Sequence, residues 1–169
     1  MTYEEICNEP FLTDTLTDIP NEKGFEEYIK SINTSNITLA AFNISVKEIN
    51  KESRKKGNEC LRAIIKELKK DNFKIFRMQG EKFNIVFLQN EYDYKTKQKL
   101  KLYFDVSMFQ LPYEIYYGIE TNDNSNFEIF RHRTVEEMYR DRNRKNQISK
   151  VNDIVKKSKA LLKMEADLL

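Results

Sequence analysis

Phe73 to Leu88 reads FKIFRMQGEKFNIVFL, and this stretch decides the fold. Phe73–Met78 and Phe83–Leu88 each alternate at the two-residue period of a strand. Between them sits a short polar loop, Gln79-Gly80-Glu81-Lys82. Such a pair closes as a β-hairpin, which forces antiparallel pairing in the middle of the chain.

Upstream, Ile37 to Ile44 (ITLAAFNI) is short, β-branched at its start and apolar throughout. That suits a buried central strand. A helical stretch follows, with Val46, Ile49 and Asn50 on one side. Gly57 interrupts it, and Cys60, Leu61, Ile64, Ile65 and Leu68 restore an amphipathic pattern. Further upstream, Thr13 to Asn21 is a polar turn. Pro20 disfavours helix just before itself, and Asn21 is a suitable N-cap for a helix that places Phe25, Tyr28 and Ile29 on one face.

Downstream, a helix is predicted around Thr96 to Phe109. Pro112 opens a strand from Tyr113 to Ile119, and Ser125 is positioned to cap a helix with Phe127, Phe130, Thr134, Val135 and Met138 on one face. The order is helix, strand, helix, helix, hairpin, helix, strand, helix. This is an α/β (α+β) chain, and its simplest architecture is one mixed sheet, containing antiparallel strands and flanked by helices. Residues 1–12 read as an N-terminal lead-in, 13–147 as the domain and 148–169 as a C-terminal connector helix. In that last part Ile148, Val151, Val155, Ser158, Leu162, Glu165 and Leu169 keep steps of three and four, an imperfect heptad seam. Two readings stand: a helix packed on its own domain, or a connector that pairs with another copy or leads into a further domain.

With 169 residues the chain fits one domain. Its net charge of +2 points to no partner class. The Arg/Lys cluster from Arg140 to Lys163 is diluted by acidic residues and lacks an aromatic platform, so a nucleic-acid partner is not expected. Cys7 and Cys60 lie far apart and read as reduced thiols of a cytoplasmic protein. No apolar run approaches the ~20 residues that span a bilayer. His132 is the only histidine, which excludes histidine-based triads and metal sites, and no Walker or G-x-G-x-x-G sequence is present.

Taken together, several segments resemble the GGDEF domain of diguanylate cyclases. Leu16-Thr17-Asp18-Ile19-Pro20-Asn21-Glu22-Lys23-Gly24-Phe25 is similar to the family's LTGLPNRRGF. Lys47-Glu48-Ile49-Asn50 resembles FKxIND, and Gly57-Asn58-Glu59-Cys60-Leu61 resembles GDxxL. Gln79-Gly80-Glu81-Lys82-Phe83 stands where GGDEF belongs, behind Arg77. Tyr117-Gly118-Ile119 is similar to SIGI, and Glu137-Met138-Tyr139-Arg140 to AMYxAK. The segments keep the family's order over residues 13–147. The resemblance implies a nucleotide-cyclase or palm-like fold with a ferredoxin-like core. It also implies a reaction in which two GTP molecules on facing domains are joined into cyclic di-GMP with the help of divalent metal.

The positions carrying that chemistry depart from the family's pattern. The first-strand metal aspartate falls at Asn43 if one residue is deleted before Lys47, and otherwise at Phe42. Asn43 offers a neutral oxygen only, a weak metal ligand. In the hairpin, Glu81 keeps a carboxylate that can bind metal, whereas Lys82 reverses the usual charge. An ammonium about 5 Å from a doubly charged cation, at an effective dielectric of about 20, is repelled by roughly 6 kcal/mol. Half of that, about 3 kcal/mol, is already a hundredfold in affinity or rate. Gln79 lacks glycine's access to positive φ, so strain is expected in the turn.

No catalytic residue is therefore expected among Gln79, Gly80, Glu81, Lys82 and Phe83. No cofactor is expected either, with Mg²⁺ entering only if GTP binding or residual activity persists. The resemblance places a guanine contact at Asn50 and Asn58 and a phosphate contact at Arg142; Lys82, where the family has a glutamate, is a candidate phosphate counter-charge in place of the metal. Other readings remain open: a capping or buried amide for Asn50, and a solvated helix face for the arginines. The family's inhibitory R-x-x-D is absent, since Lys70-Asp71-Asn72-Phe73 stands there.

The resemblance thus implies an impaired GGDEF-like module that regulates or interacts in cyclic di-GMP signalling and can sense GTP or another guanine nucleotide. A weakly active diguanylate cyclase is the alternative. The expected partners of residues 148–169 are a second copy or a downstream EAL-type domain, which would make the chain a piece excised from a longer protein.

Overall fold

The computed structural model describes residues 1–105 and 113–169. Its centre is β1 (Thr38–Ser45), the apolar run expected to be buried. The hairpin strands are β2 (Lys74–Arg77) and β3 (Lys82–Phe87), and the last strand is β4 (Glu114–Thr121). Across the sheet the order is β2-β3-β1-β4, and all three pairings are antiparallel. The expected mixed sheet is thus antiparallel throughout, because each helical crossover returns the chain to a strand that is not adjacent. This is the split βαββαβ core of ferredoxin-like folds.

Before the sheet come α1 (Tyr3–Cys7) and α2 (Glu22–Lys30). Between β1 and β2 lie α3 (Lys47–Glu52) and α4 (Arg54–Lys69). The break between those helices falls at Ser53 rather than at Gly57. Ser53 is extended (φ −163°, ψ 140°), and its hydroxyl accepts from Lys56 N at 3.0 Å, so it caps α4. Between β3 and β4 lies α5 (Tyr94–Asp105). Residues 106–109 of the helix predicted there, and Pro112, fall outside the described residues. The last helix, α6 (Phe127–Asp167), is capped by Asn126 and not by Ser125: Asn126 Oδ1 accepts from Glu128 N at 2.9 Å.

Side chains alternate across the sheet and build two cores. Ala40, Phe42, Ile44, Phe83 and Ile85 pack against Leu61, Ile65 and Leu68 of α4 and Leu100 and Phe104 of α5. On the other face Leu39, Phe76 and Val86 meet Ile6, Phe25, Tyr28 and Phe130. Residues 1–12, read as a lead-in, thus supply α1, whose Ile6 is wholly buried.

Both outer edges of the sheet are blocked by side chains, which protects unpaired backbone groups from other strands. On β2 the Tyr3 hydroxyl donates to Ile75 O at 3.0 Å and accepts from Ile75 N at 3.1 Å. On β4 the Tyr117 N–H donates to Asp141 Oδ2 at 3.0 Å, and Lys145 Nζ donates to Ile115 O at 2.8 Å. Asp141 and Lys145 also pair at 2.8 Å.

Beyond Lys145 every residue of α6 is exposed. Ile148, Val151, Val155 and Leu162 remain 45–65% exposed, so the seam does not pack on its own domain. The helix is continuous across residues 147 and 148. No described helix is long and apolar enough to cross a membrane.

Candidate functional site

The β1–β3 register pairs Asn43 with Lys82 and Phe42 with Phe83. Directly opposed residues share a face. Phe42 stacks on Phe83 (5.3 Å between ring centroids) and packs on Phe104 inside the first core. Of the two candidates for the first-strand position, Asn43 is therefore the one on the α6 side.

Lys82 lies beside α6. Its ammonium donates to the Tyr139 hydroxyl at 2.9 Å and stands 5.5 Å from the Tyr139 ring centre. The Arg142 guanidinium lies 5.1 Å from the same ring. Lys82, at the hydroxyl edge, and Arg142, 5.1 Å from the ring centre, are thus brought together by one tyrosine. Neither has a carboxylate partner among the described residues. The neighbouring cations differ: Arg140 pairs with Glu137, while Arg144 and Lys145 pair with Asp141. Arg142 is the cation of that run with no carboxylate partner among the described residues. Sequence reasoning quoted Tyr139 as part of a motif but did not identify it as the link; cross-strand register is what places Lys82 there.

Beside this cluster a cleft of about 640 Å³ opens between β1, β4 and α6, lined by Asn43, Lys47, Glu48, Glu114, Arg142 and Asn146 among others. Glu48 is paired with Lys51 at 2.9 Å, and Glu114 accepts from the Tyr116 hydroxyl. Burial, then that carboxylate, push the Tyr116 phenol well above its usual range. Lys47 and Asn146 were not among the predicted ligand contacts, and no local signal distinguished them from other exposed polar residues.

Glu81 lies in the turn, where its carbonyl accepts from Ile44 N at 3.0 Å. Its carboxylate has no hydrogen bond or ion pair among the described residues, and Glu81 does not line the cleft beside Asn43. A divalent cation at this corner would meet a neutral amide and an ammonium, which is a poor fit for Mg²⁺. Among the described residues no group of three His, Cys, Asp or Glu converges as a cation site.

The turn itself is well supported. Gly80 takes the positive φ of 64°, so Gln79 is not strained as expected. Arg77 Nε donates to Gly80 O at 2.9 Å, while its guanidinium reaches both Asp14 oxygens at 3.1 and 3.2 Å. Asp14 also accepts from Thr17 N and Oγ1 at 2.9 and 2.6 Å. Burial raises the Asp14 pKa, but the Thr17 and Arg77 hydrogen bonds outweigh it and hold the carboxyl below its usual range.

Asn50 and Asn58 sit apart from this corner, on α3 and α4, and neither lines the large cleft. Asn50 neither caps a helix nor is buried. Its Oδ1 lies 1.9 Å from where a Cβ on Gly57 would stand. A side chain at 57 would displace it, so the absence of one at Gly57 leaves room for the Asn50 amide. His132 is exposed, 3.3 Å from Glu136.

The sheet order, the helices on both faces and the hairpin corner give this chain the fold of GGDEF domains. It aligns with the solved structure of a microbial GGDEF domain described with cyclic di-GMP (TM-score 0.65, 20% identity, covering 78% of this chain and 92% of that one). It also aligns with the diguanylate cyclase SiaD of Pseudomonas aeruginosa, solved with its activator SiaC (TM-score 0.69, 16% identity, covering 83% of this chain and 61% of that one). The GGDEF domain of DgcB from Caulobacter crescentus, in complex with cyclic di-GMP, gives a TM-score of 0.64 at 17% identity, covering 80% and 90%. No protein-family model and no curated protein sequence matches the chain.

Proposed function

We propose that this chain is a regulatory or interaction module of cyclic di-GMP signalling, built on a GGDEF fold with impaired cyclase chemistry. The observation that carries the reading is the pairing of Lys82 with Asn43 at the hairpin corner. A cyclase must gather negative charge around metal there, and this corner presents an ammonium and an amide. The solved neighbours, described with cyclic di-GMP or as a cyclase with its activator, supply the signalling context. In this reading a guanine nucleotide such as GTP uses Asn50 and Asn58 for its base and Arg142 and Lys82 for its phosphates. Mg²⁺ takes part only if GTP binding or residual activity persists. The module works in the cytoplasm, and residues 148–169 pass its state to a second copy or to a downstream EAL-type domain.

A weakly active diguanylate cyclase is the second reading. It is favoured by the carboxylate of Glu81 and by the seating of Asn50 over Gly57. Calorimetry with GTP and Mg²⁺ on the wild type and on the Asn43→Asp/Lys82→Glu double variant separates the two. The proposed reading expects the double variant to gain about a hundredfold in Mg²⁺ dependence of binding. Equal Mg²⁺ dependence in both proteins would favour the second.

A further inference from the structure

We propose that the cleft between the hairpin and α6, floored by Asn84 and with Lys82 at its rim, is a second binding site that takes a small neutral planar molecule of the nucleobase class. Asn84 lies on β3, opposite Ala41 of β1 and Phe76 of β2. It is only 5% exposed, and its side-chain amide makes no hydrogen bond to any described residue. Neither amide atom is sealed from solvent, since no fully enclosed side-chain polar atom among the described residues lacks a partner. The amide therefore faces the cleft of about 210 Å³ that it lines. Ala41 is what leaves the space: its methyl is the only side chain on β1 directly beside Asn84.

The chemistry of the walls selects the ligand. Met78, Met138 and Val135 supply apolar sides, and thioethers make favourable contacts with aromatic rings. An asparagine amide offers one donor face and one acceptor face, matching an edge with adjacent acceptor and donor, as a base presents. Arg131 at the rim does not call for an anion, since it is held by Glu26 at 2.8 Å, with Glu22 and Glu128 at 4.0 Å. The volume falls below the roughly 300–1,000 Å³ of drug-sized sites, so it admits a base and not a whole nucleotide. This cleft lies on the α2 and α6 face of the sheet, whereas Asn58 belongs to α4 on the other face. The inference does not depend on the guanine contact proposed for Asn50 and Asn58.

The test is a titration of the full chain, labelled at methionine methyls and at side-chain amides, with adenine and separately with hypoxanthine as the free bases, in place of any nucleoside, followed by NMR. Saturable shifts at the Met78 and Met138 methyls and at the Asn84 amide are expected at millimolar base. Asn84→Leu keeps the bulk and removes the amide, and it should weaken binding at least tenfold. Val135→Phe fills the cleft from a half-buried position on α6 and should abolish the shifts even if the first variant folds poorly. Shifts that are absent, that never saturate, or that persist unchanged in both variants would overturn the proposal and leave a cleft that holds water only.

Discussion

Lys82 stands directly across the β1–β3 ladder from Asn43, and its ammonium donates to the Tyr139 hydroxyl at 2.9 Å. The hairpin corner is thereby tied to α6 by a cation and a phenol. Arg142, on the same tyrosine, adds a second positive charge at the mouth of the large cleft.

Asp14 anchors the turn that carries this corner, and its carboxyl is below its usual range when folded. A depressed carboxylate contributes stability that is complete above the unfolded value of ~3.9 and is lost as pH falls through the lower folded value. Asp14→Asn should cost about 2 kcal/mol at neutral pH, since it removes hydrogen bonds to a charged group. Urea denaturation should also show a weaker loss of stability below about pH 4 than in the wild type. Equal stability at neutral pH would contradict the role given to Asp14.

Tyr3 closes the β2 edge with both of its hydrogen bonds on Ile75. Tyr3→Phe keeps the ring contacts with Phe76 and Tyr28. It should therefore cost only about 1–2 kcal/mol, the net value of two neutral hydrogen bonds. Hydrogen exchange at the Ile75 amide should accelerate well beyond that of the interior strands.

Lys145 and Asp141 close the opposite edge, both largely buried at 9% and 7% exposure. Lys145→Ala leaves the buried Asp141 with the exposed Arg144 at 3.5 Å and the Tyr117 N–H, so it should destabilise by about 2 kcal/mol in chemical denaturation. Asp141→Leu combined with Lys145→Met should recover most of that loss. A double variant as unstable as the single would show that the backbone contacts, and not the charge pairing, carry the effect.

The hairpin, the buried strand at Ile37–Ile44 and the alternation of helices were legible because each rests on local periodicity and turn chemistry. Asn21 as the cap of α2 was legible for the same reason: its Oδ1 accepts from Gly24 N at 3.0 Å. What failed to show was non-local. Nothing near Ile75 announces that Tyr3, seventy-two positions away, will bond its backbone. The all-antiparallel sheet depends on which strands become neighbours, and a single chain's pattern does not specify that. That Phe42 enters the core while Asn43 faces the Lys82 side is shown only by register, because one residue of slip exchanges one face of the sheet for the other. Lys82 was legible as a reversed charge, but its partner Tyr139 lies on another element. Ser53, an ordinary polar residue in a helical stretch, ended a helix where Gly57 had been the obvious breaker, because its extended backbone and its hydroxyl's bond to Lys56 N cap α4.

The most direct measurement is product formation by the purified chain supplied with GTP and Mg²⁺, followed by chromatography for cyclic di-GMP. With an ammonium and an amide at the corner, GTP should remain unconverted over hours at micromolar protein. Turnover to the cyclic dinucleotide at an ordinary cyclase rate would contradict the account.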